Sequence, residues 1–592
     1  KECDWSSDVC SSDLEDLLLS EMYCNQCQQT VNGTACTTVG VCGKNPDVAA
    51  LQDLIIHYNK GLCKWLVEPE LDGAVTEDIL NYILVSTFAT LTNVNFDEKR
   101  FLGYARKCAS FRDNVKAQYE SEVNYQKRSE DLVNDKHAAN FIFNNSKKYL
   151  IKYARQFGVD TRKREFKNDD VFSLIEMATY GMKGLCAYFY HAECLYNENN
   201  RAYDNSKRME VYGKILRLFA DLCTDSVITD LNTMLTLNME IGKVNMMVMG
   251  LLDSAHARIL GTPTPTKVPT LPIPGKCILV SGHDMVDLLH ILELTEGKGI
   301  NVYTHGELFN AFSYPEIRKF KHLAANFGSA WYNQQVDFDI FPGPIVLTTN
   351  CLIKPKSTYK NKLYTLHCVG WPGVKHLESS KELSAVVKQA KISKGWTTRE
   401  IGKLDPKLCT THMTGFHHSV VLSLAGTVID SINKGNLTDI YLVGGCDNLD
   451  PKRGYFREVV ENVSKTSLIL TLGCGKYRLL NDNLDERLGN IKETAIPRLL
   501  DMGQCNDSYS ALIVATELAK ALKVSSVNDL PLHLVISWVE QKAVVILLTL
   551  LSLGIQGIRI GPNLPGFLTK NIVNVLVEKF ALTPVSSAKS DI

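Results

Sequence analysis

The feature that most limits the fold is a change of hydrophobic period near residue 261. From Pro46 to about Leu260, apolar residues recur at helical spacing: Leu51, Leu54, Ile55, Tyr58 and Leu62 share one face. The same period predicts helices over Ile79 to Leu91, Phe101 to Tyr119, Val171 to Cys194, Met209 to Leu222 and Ile228 to Ile259. Charged stretches, Glu120 to Lys136 and Asn197 to Lys207, interrupt them. The run ends at Gly261-Thr262-Pro263-Thr264-Pro265, which reads as a rigid linker. Beyond it, short apolar runs alternate with helices, the pattern of parallel strands covered on both faces. Expected strands are Cys277 to Val280, Asn301 to Tyr303, Ile345 to Thr348 and Leu363 to His367. A second series is Asp439 to Val443, Ser467 to Leu472, His533 to Ile536 and Ile555 to Ile560. The stretch Ile392 to Thr414 is expected to join the two series. The fold class is therefore multidomain α and α/β: a helical domain over 22–265, then two doubly wound, Rossmann-like domains over 266–405 and 406–592.

At 592 residues the chain has room for several cores, and its 64 basic against 65 acidic residues leave a net charge of -1. That balance speaks against nucleic acid as a partner, which calls for a basic excess or stripe. The longest apolar stretch, Ala543 to Ile558, is interrupted by Thr549, Ser552, Gly554 and Gln556 and falls short of the roughly 20 residues of a membrane span. A buried helix running into a strand is expected instead, with no membrane insertion. Residues 1–21 form an acidic, Ser-rich near-repeat without the basic start of a secretory signal. They are expected to be a non-native extension, with Met22 as the natural start. The 18 cysteines are too dilute for a secreted disulfide scaffold and point to a reduced compartment and to metal ligation.

Cys24, Cys27, Cys36 and Cys42 give C-x2-C-x8-C-x5-C among small and polar residues. Four thiolates in one loop suit an iron–sulfur cluster or zinc; a zinc ribbon usually repeats C-x2-C twice, which this spacing does not. A second set is scattered in sequence but regular in position, because ligands of open α/β sheets gather beyond the carboxyl ends of strands. His283, Glu307, Cys351, Cys446 and Cys474 each follow a predicted strand, Glu540 follows another, and Cys505 lies in a polar loop. Any one of them alone is more readily a core or hydrogen-bonded residue. Together they mix soft thiolates with hard carboxylates and an imidazole, a set suited to iron bridged by both sulfur and oxygen. Cys63, Cys108, Cys186, Cys194, Cys223, Cys277, Cys368 and Cys409 are expected in the core, and Cys3 and Cys10 fall in the leader.

The strings MYCNQCQQT, SGHDMVDL, NVYTHGE, FPGPIVLTTNC, GWPGV, LVGGCD, CGKYR, LLDMGQCND and SWVEQKAV closely resemble the hybrid cluster (prismane) proteins, known as hydroxylamine reductases. The resemblance runs from Met22 to Phe580 and implies a helical domain followed by two Rossmann-like domains, as in carbon monoxide dehydrogenases. It implies that Cys24, Cys27, Cys36 and Cys42 hold a 4Fe-4S cubane, the shorter cysteine spacing being that of the 4Fe-4S form. It also implies that His283, Glu307, Cys351, Cys446, Cys474, Cys505 and Glu540 hold a hybrid 4Fe-2S-2O cluster, with Cys446 able to carry a persulfide. Asn448 departs from the family, where Gly often follows the Cys-Asp pair, but it is not a ligand.

Hydroxylamine reduction needs two electrons and two protons. Glu540, Lys542 and His305 are the candidate proton sources, with Cys446 beside them in the catalytic set. His305 could equally bond to backbone and only orient Glu307. No G-x-G-x-x-G follows the first strand, so electrons are expected from a separate redox protein rather than from NADH directly. Rival readings are reduction of nitric oxide in nitrosative stress, carbon monoxide dehydrogenase chemistry, and transfer of nitrosyl groups to proteins through Cys446. Intact Glu307 and Glu540 favour an oxygen-bridged iron cluster over a nickel–sulfide one. The expected setting is an oxygen-poor cytoplasm, with the chain a monomer or homodimer.

Overall fold

A computed structural model describes residues 22–123, 130–198, 202–404, 411–480 and 483–592. Cys3, Cys10, Cys409 and the extension over 1–21 lie outside these residues.

Six long helices fill the first part, as the 3.6-residue period requires: Pro46–Leu66, Glu77–Ala89, Glu98–Glu122, Asp169–Glu198, Asn205–Asp221 and Leu231–Leu260. Their starts are chemically marked. Asn45 caps the first, its side chain accepting from Val48 N at 2.8 Å with Pro46 at the position that needs no N–H. The last helix opens at Leu231 behind Asp230, which caps it, so the expected start at Ile228 belongs instead to a separate turn, Asp225–Ile228.

After the linker, β1 (Thr266–Pro269) precedes a six-stranded parallel sheet made of β2 (Lys276–Ser281), β3 (Ile300–His305), β4 (Leu323–Asn326), β5 (Ile345–Leu347), β6 (Leu363–Leu366) and β7 (Lys375–Leu377). Its spatial order is β4-β3-β2-β5-β6-β7. The joining segment returns as β8 (Thr411–Thr414), which pairs antiparallel with β1. A second parallel sheet follows: β9 (Asp439–Gly445), β10 (Ser467–Thr471), β11 (Leu499–Asp501), β12 (Leu532–Ser537), β13 (Ile558–Gly561) and β14 (Thr583–Pro584), in the order β11-β10-β9-β12-β13-β14. In both sheets the first strand lies inside and the chain runs outward in each direction from it, so each has a switch point beside β2 and β9. Crevices for ligands open at such points, at the carboxyl ends of the strands.

Eight strands lie where the apolar runs place them, with ends shifted by up to three residues. Ile555 is the largest difference: it closes the turn after a helix, its N–H bonding Leu550 O, and β13 begins only at Ile558. Six further strands, β1, β4, β7, β8, β11 and β14, have two to four residues each and no long apolar run to announce them.

The apolar stretch after residue 542 forms the helix Gln541–Ser552, and it is lodged against Asp169–Glu198 and Leu231–Leu260. Glycines make room for it: a Cβ at Gly184 would lie 2.4 Å from Gln541 O, and one at Gly242 2.1 Å from Leu548 O. Thr549 Oγ1 donates to Gly242 O at 3.1 Å, and Asn245 Nδ2 donates to Thr549 Oγ1 at 3.0 Å. The stretch is thus core of the helical part. Among the described residues no helix is long and apolar enough to cross a membrane.

Candidate metal centre

The first cysteine loop is held by backbone pairing. Cys24 and Cys36 face each other as an antiparallel bridge, with N···O distances of 3.0 and 2.9 Å. Between Met22 and Gly43 the chain has no charged side chain; the first is Lys44, buried, with Nζ 3.8 Å from Cys24 Sγ. Burial pushes the Cys27 and Cys42 thiols up, and the neighbouring loop cysteines add to this in both. A bound cation would supply the balancing charge for the buried Cys27 and its loop neighbours, which have one ammonium close by.

The second set converges. β2, β3 and β5 deliver His283, Glu307 and Cys351 from the first sheet; β9, β10 and β12 deliver Cys446, Cys474 and Glu540 from the second, and the loop after β11 delivers Cys505. All seven line one cavity between the sheets. Ligand atoms of His283, Glu307 and Cys505 lie within 4.8 Å of one another. The helical part closes the cavity with Thr92 and Asn93, neither of which the sequence reading singled out. Asn93 has φ 61° and Cys351 φ 75°, both left-handed. For a cysteine that conformation costs on the order of 1–3 kcal/mol, the kind of strain found where a side chain must be aimed.

Neighbouring hydrogen bonds fix the donors. His283 Nδ1 lies 3.2 Å from Thr349 Oγ1, which leaves Nε2 as the nitrogen for a ligand. Gln504 Nε2 donates to the carbonyls of His283 and Glu307 at 2.9 and 3.0 Å, tying the Cys505 loop to both. Glu307 Oε2 accepts from Cys505 N at 3.0 Å, while its Oε1 is buried without a partner, as is Asn93 Oδ1. Glu540 caps the Gln541–Ser552 helix, accepting from Lys542 N at 2.9 Å. Lys542 is buried and donates to Asn350 Oδ1 at 2.9 Å, and Asn350 Nδ2 lies 3.2 Å from Cys351 Sγ.

Burial, reinforced by neighbouring carboxylates and thiols, raises the Cys446 and Cys505 thiols to about 12 and those of Cys351 and Cys474 well above the usual thiol range. Burial also raises Glu540 and drives His283 far below the usual imidazole value, with Lys542 adding to the latter. Burial opposes charge on Lys542 too, but Cys505, Glu540, Cys351 and Glu307 together raise it. Ionising four thiols and two carboxyls around one ammonium is unfavourable in so dry a place unless metal cations supply the balancing charge. Seven donors and two orphaned buried oxygens exceed what one tetrahedral ion takes, and they fit a polynuclear iron group.

His305 stands apart from this wall. It is fully buried, with Nδ1 2.9 Å from Ser281 Oγ and Nε2 3.2 Å from Asp337 Oδ2. Both nitrogens are engaged by side chains, so the ring neither bonds to backbone nor holds the Glu307 carboxylate. Of the expected core cysteines, Cys63, Cys108, Cys186, Cys277 and Cys368 are buried, and Cys194 and Cys223 are half-buried.

Two parallel sheets, closed at their carboxyl ends over a cavity of thiols, carboxylates and one imidazole and capped by a helical region, define the class. The chain belongs to the Prismane/CO dehydrogenase family, which it matches over residues 22–592. It is 42% identical over 578 residues to a protein named hydroxylamine reductase from Escherichia coli (strain SMS-3-5 / SECEC), covering 96% of this chain and 99% of that one. A protein of the same name from Geobacter metallireducens is 41% identical over 571 residues, covering 96% and 98%. In fold, the chain resembles carbon monoxide dehydrogenase IV from Carboxydothermus hydrogenoformans (TM-score 0.52, 15% identity, 98% and 93% of the two chains). A carbon monoxide dehydrogenase from Thermococcus sp. AM4 gives a TM-score of 0.52 at 15% identity, over 98% and 90%.

Proposed function

We propose that this chain is an iron–sulfur oxidoreductase that reduces hydroxylamine, with two protons and two electrons, to ammonia and water. The observation that carries the reading is the convergence of His283, Glu307, Cys351, Cys446, Cys474, Cys505 and Glu540 on one buried cavity. The relatives named hydroxylamine reductase give the substrate. In this reading Cys24, Cys27, Cys36 and Cys42 hold a 4Fe-4S cubane, and the seven converging residues hold the hybrid 4Fe-2S-2O cluster. When bound, the hybrid cluster supplies electrons and an open iron position for nitrogen or oxygen of the substrate.

The chain's own residues supply the rest. Lys542 Nζ, held by Asn350, is the proton donor beside the cavity, and Glu540 acts as a ligand whose backbone is fixed by its cap on the Gln541–Ser552 helix. Cys446 is positioned by its N–H, which donates to Ser537 O at 2.9 Å. His305 acts indirectly, bracing the end of β3 through Ser281 and Asp337, and not as a proton donor. Electrons would come from a separate redox protein, and thiolate ligands suit a reducing compartment.

A second reading, nitric oxide reduction, is favoured by a neighbouring cavity. It is walled by residues such as Leu442, Leu470, Leu512, Leu534 and Ile546, and it reaches Cys446, Cys505, Glu540 and Lys542. Such an apolar pocket suits a small uncharged molecule better than a strongly hydrated one. Side-by-side turnover of both substrates under one reductant, with cluster states followed by electron paramagnetic resonance, separates the two. Anaerobic protein holding zinc in place of iron and sulfide, or a Cys351→Ala variant with an unchanged spectrum, overturns both.

A further inference from the structure

Arg453 is fully buried and forms no ion pair among the described residues; Asp447, close in sequence, pairs with Arg478 at 3.0 Å instead. Its guanidinium is spent on the backbone and side chains of both cysteine sites. Nη1 donates to Cys446 O at 3.1 Å and to Ser537 Oγ, and Nη2 donates to Gln28 Oε1 at 2.9 Å and Trp538 O at 2.7 Å. Gln28 directly follows Cys27, and Trp538 lies two residues before Glu540. Gln28 is gripped a second time by Asn448, whose Nδ2 donates to Gln28 Oε1 at 2.7 Å, and its own N–H donates to Val539 O at 2.9 Å. The path from Cys27 to Glu540 therefore crosses a single hydrogen bond, between the residue after one and the residue before the other.

A buried guanidinium without a carboxylate is expensive, and it is retained where its planar fork does something a point charge does not. Here the fork spans two loops that lie far apart in the chain, Arg453 and Gln28 being separated by 425 residues. We propose that Arg453 is a positioning residue that locks the Cys27 loop against the Cys446 turn, so that an electron crosses between the two cysteine sites without rearrangement of the chain. With both groups bound, one electron would pass from the first site to the second, and no bond would be made or broken. The proposal rests on the two-cluster reading above.

The test uses anaerobic full-length protein in three variants, Arg453→Met, Arg453→Lys and Gln28→Leu. Iron and sulfide content report loading, and the rate of electron transfer between the centres is followed by stopped flow with freeze-quenched paramagnetic resonance. Gln28→Leu leaves the Arg453 charge in place and removes the side-chain bonds of Gln28 to Arg453, Asn448 and Asp450 while keeping its backbone bond to Val539, so it stands in should Arg453→Met fail to fold. In loaded Arg453→Met and Gln28→Leu, transfer slows severalfold, because the two loops are no longer held at their native separation. Arg453→Lys stays slow, because one ammonium cannot span both loops. Wild-type rates in a loaded Gln28→Leu or Arg453→Met protein, or full rescue by lysine, overturn the proposal. Wild-type protein without iron overturns the underlying reading instead.

Discussion

Gly242→Ala tests whether the helix Gln541–Ser552 is seated as tightly as its neighbours imply. The added methyl would stand 2.1 Å from Leu548 O and 2.5 Å from Leu548 C, both backbone atoms that no side-chain rotation clears. The helix must move, and with it the Gly242 carbonyl bond to Thr549 Oγ1. Overpacking costs about 1–3 kcal/mol and the lost hydrogen bond about 1, while alanine regains about 1 in helix propensity, a net loss of roughly 1–3 kcal/mol. Gly213→Ala is the control: it lies exposed in the Asn205–Asp221 helix with nothing within 4 Å of the new Cβ. That change is expected to stabilise by about 0.5–1 kcal/mol. Urea unfolding followed by circular dichroism measures both, and iron content should fall only in Gly242→Ala, since Glu540 and Lys542 sit at the amino-terminal end of the same helix and shift with it. Equal stabilities for Gly242→Ala and wild type, or equal losses for the two variants, would refute the close seating.

Arg208 and Glu193 form a buried pair at 2.7 Å, with Tyr203 and Tyr212 also donating to Glu193; Arg208→Met should cost about 3–5 kcal/mol in denaturant unfolding, because it strands the carboxylate. For His367, burial lowers the imidazole but Asp287, 2.8 Å away, overcomes it and raises the group to about 9. Its contribution is complete below the unfolded value near 6.5 and fades as the pH rises through about 9; unfolding free energies across that window should decline in wild type and flatten in His367→Gln. Cys27→Ser should lose the iron of the first loop and keep the paramagnetic signature of the second site, a result read from spectra and metal analysis together.

The ligand positions were legible because an internal parallel strand is an unbroken apolar run, and the first polar residues past it mark the carboxyl end where ligands collect. The rim of each sheet was not, since β4, β7, β11 and β14 pair on one side only and need no more than two to four residues. Side chains whose meaning lies in a distant partner were equally silent. His305 is explained by Asp337, 32 residues on, and Arg453 by Gln28. Asn93 gives no local hint that it walls a cavity whose other sides come from both sheets. Asn448, met first as a departure from the family, proves to hold Gln28.

The seating of Gln541–Ser552 among helices made some 300 residues earlier bears on how the protein matures. During synthesis the amino-terminal helices emerge with a trough where their missing neighbour belongs, floored by glycines at 181, 184 and 242. They stay incomplete until a segment some 300 residues further on has left the ribosome, a long-range closure that is slow and aggregation-prone. The same late event brings in Glu540 and seals the cavity. Closure of the cavity is thereby tied to the docking of a helix that comes late in the chain.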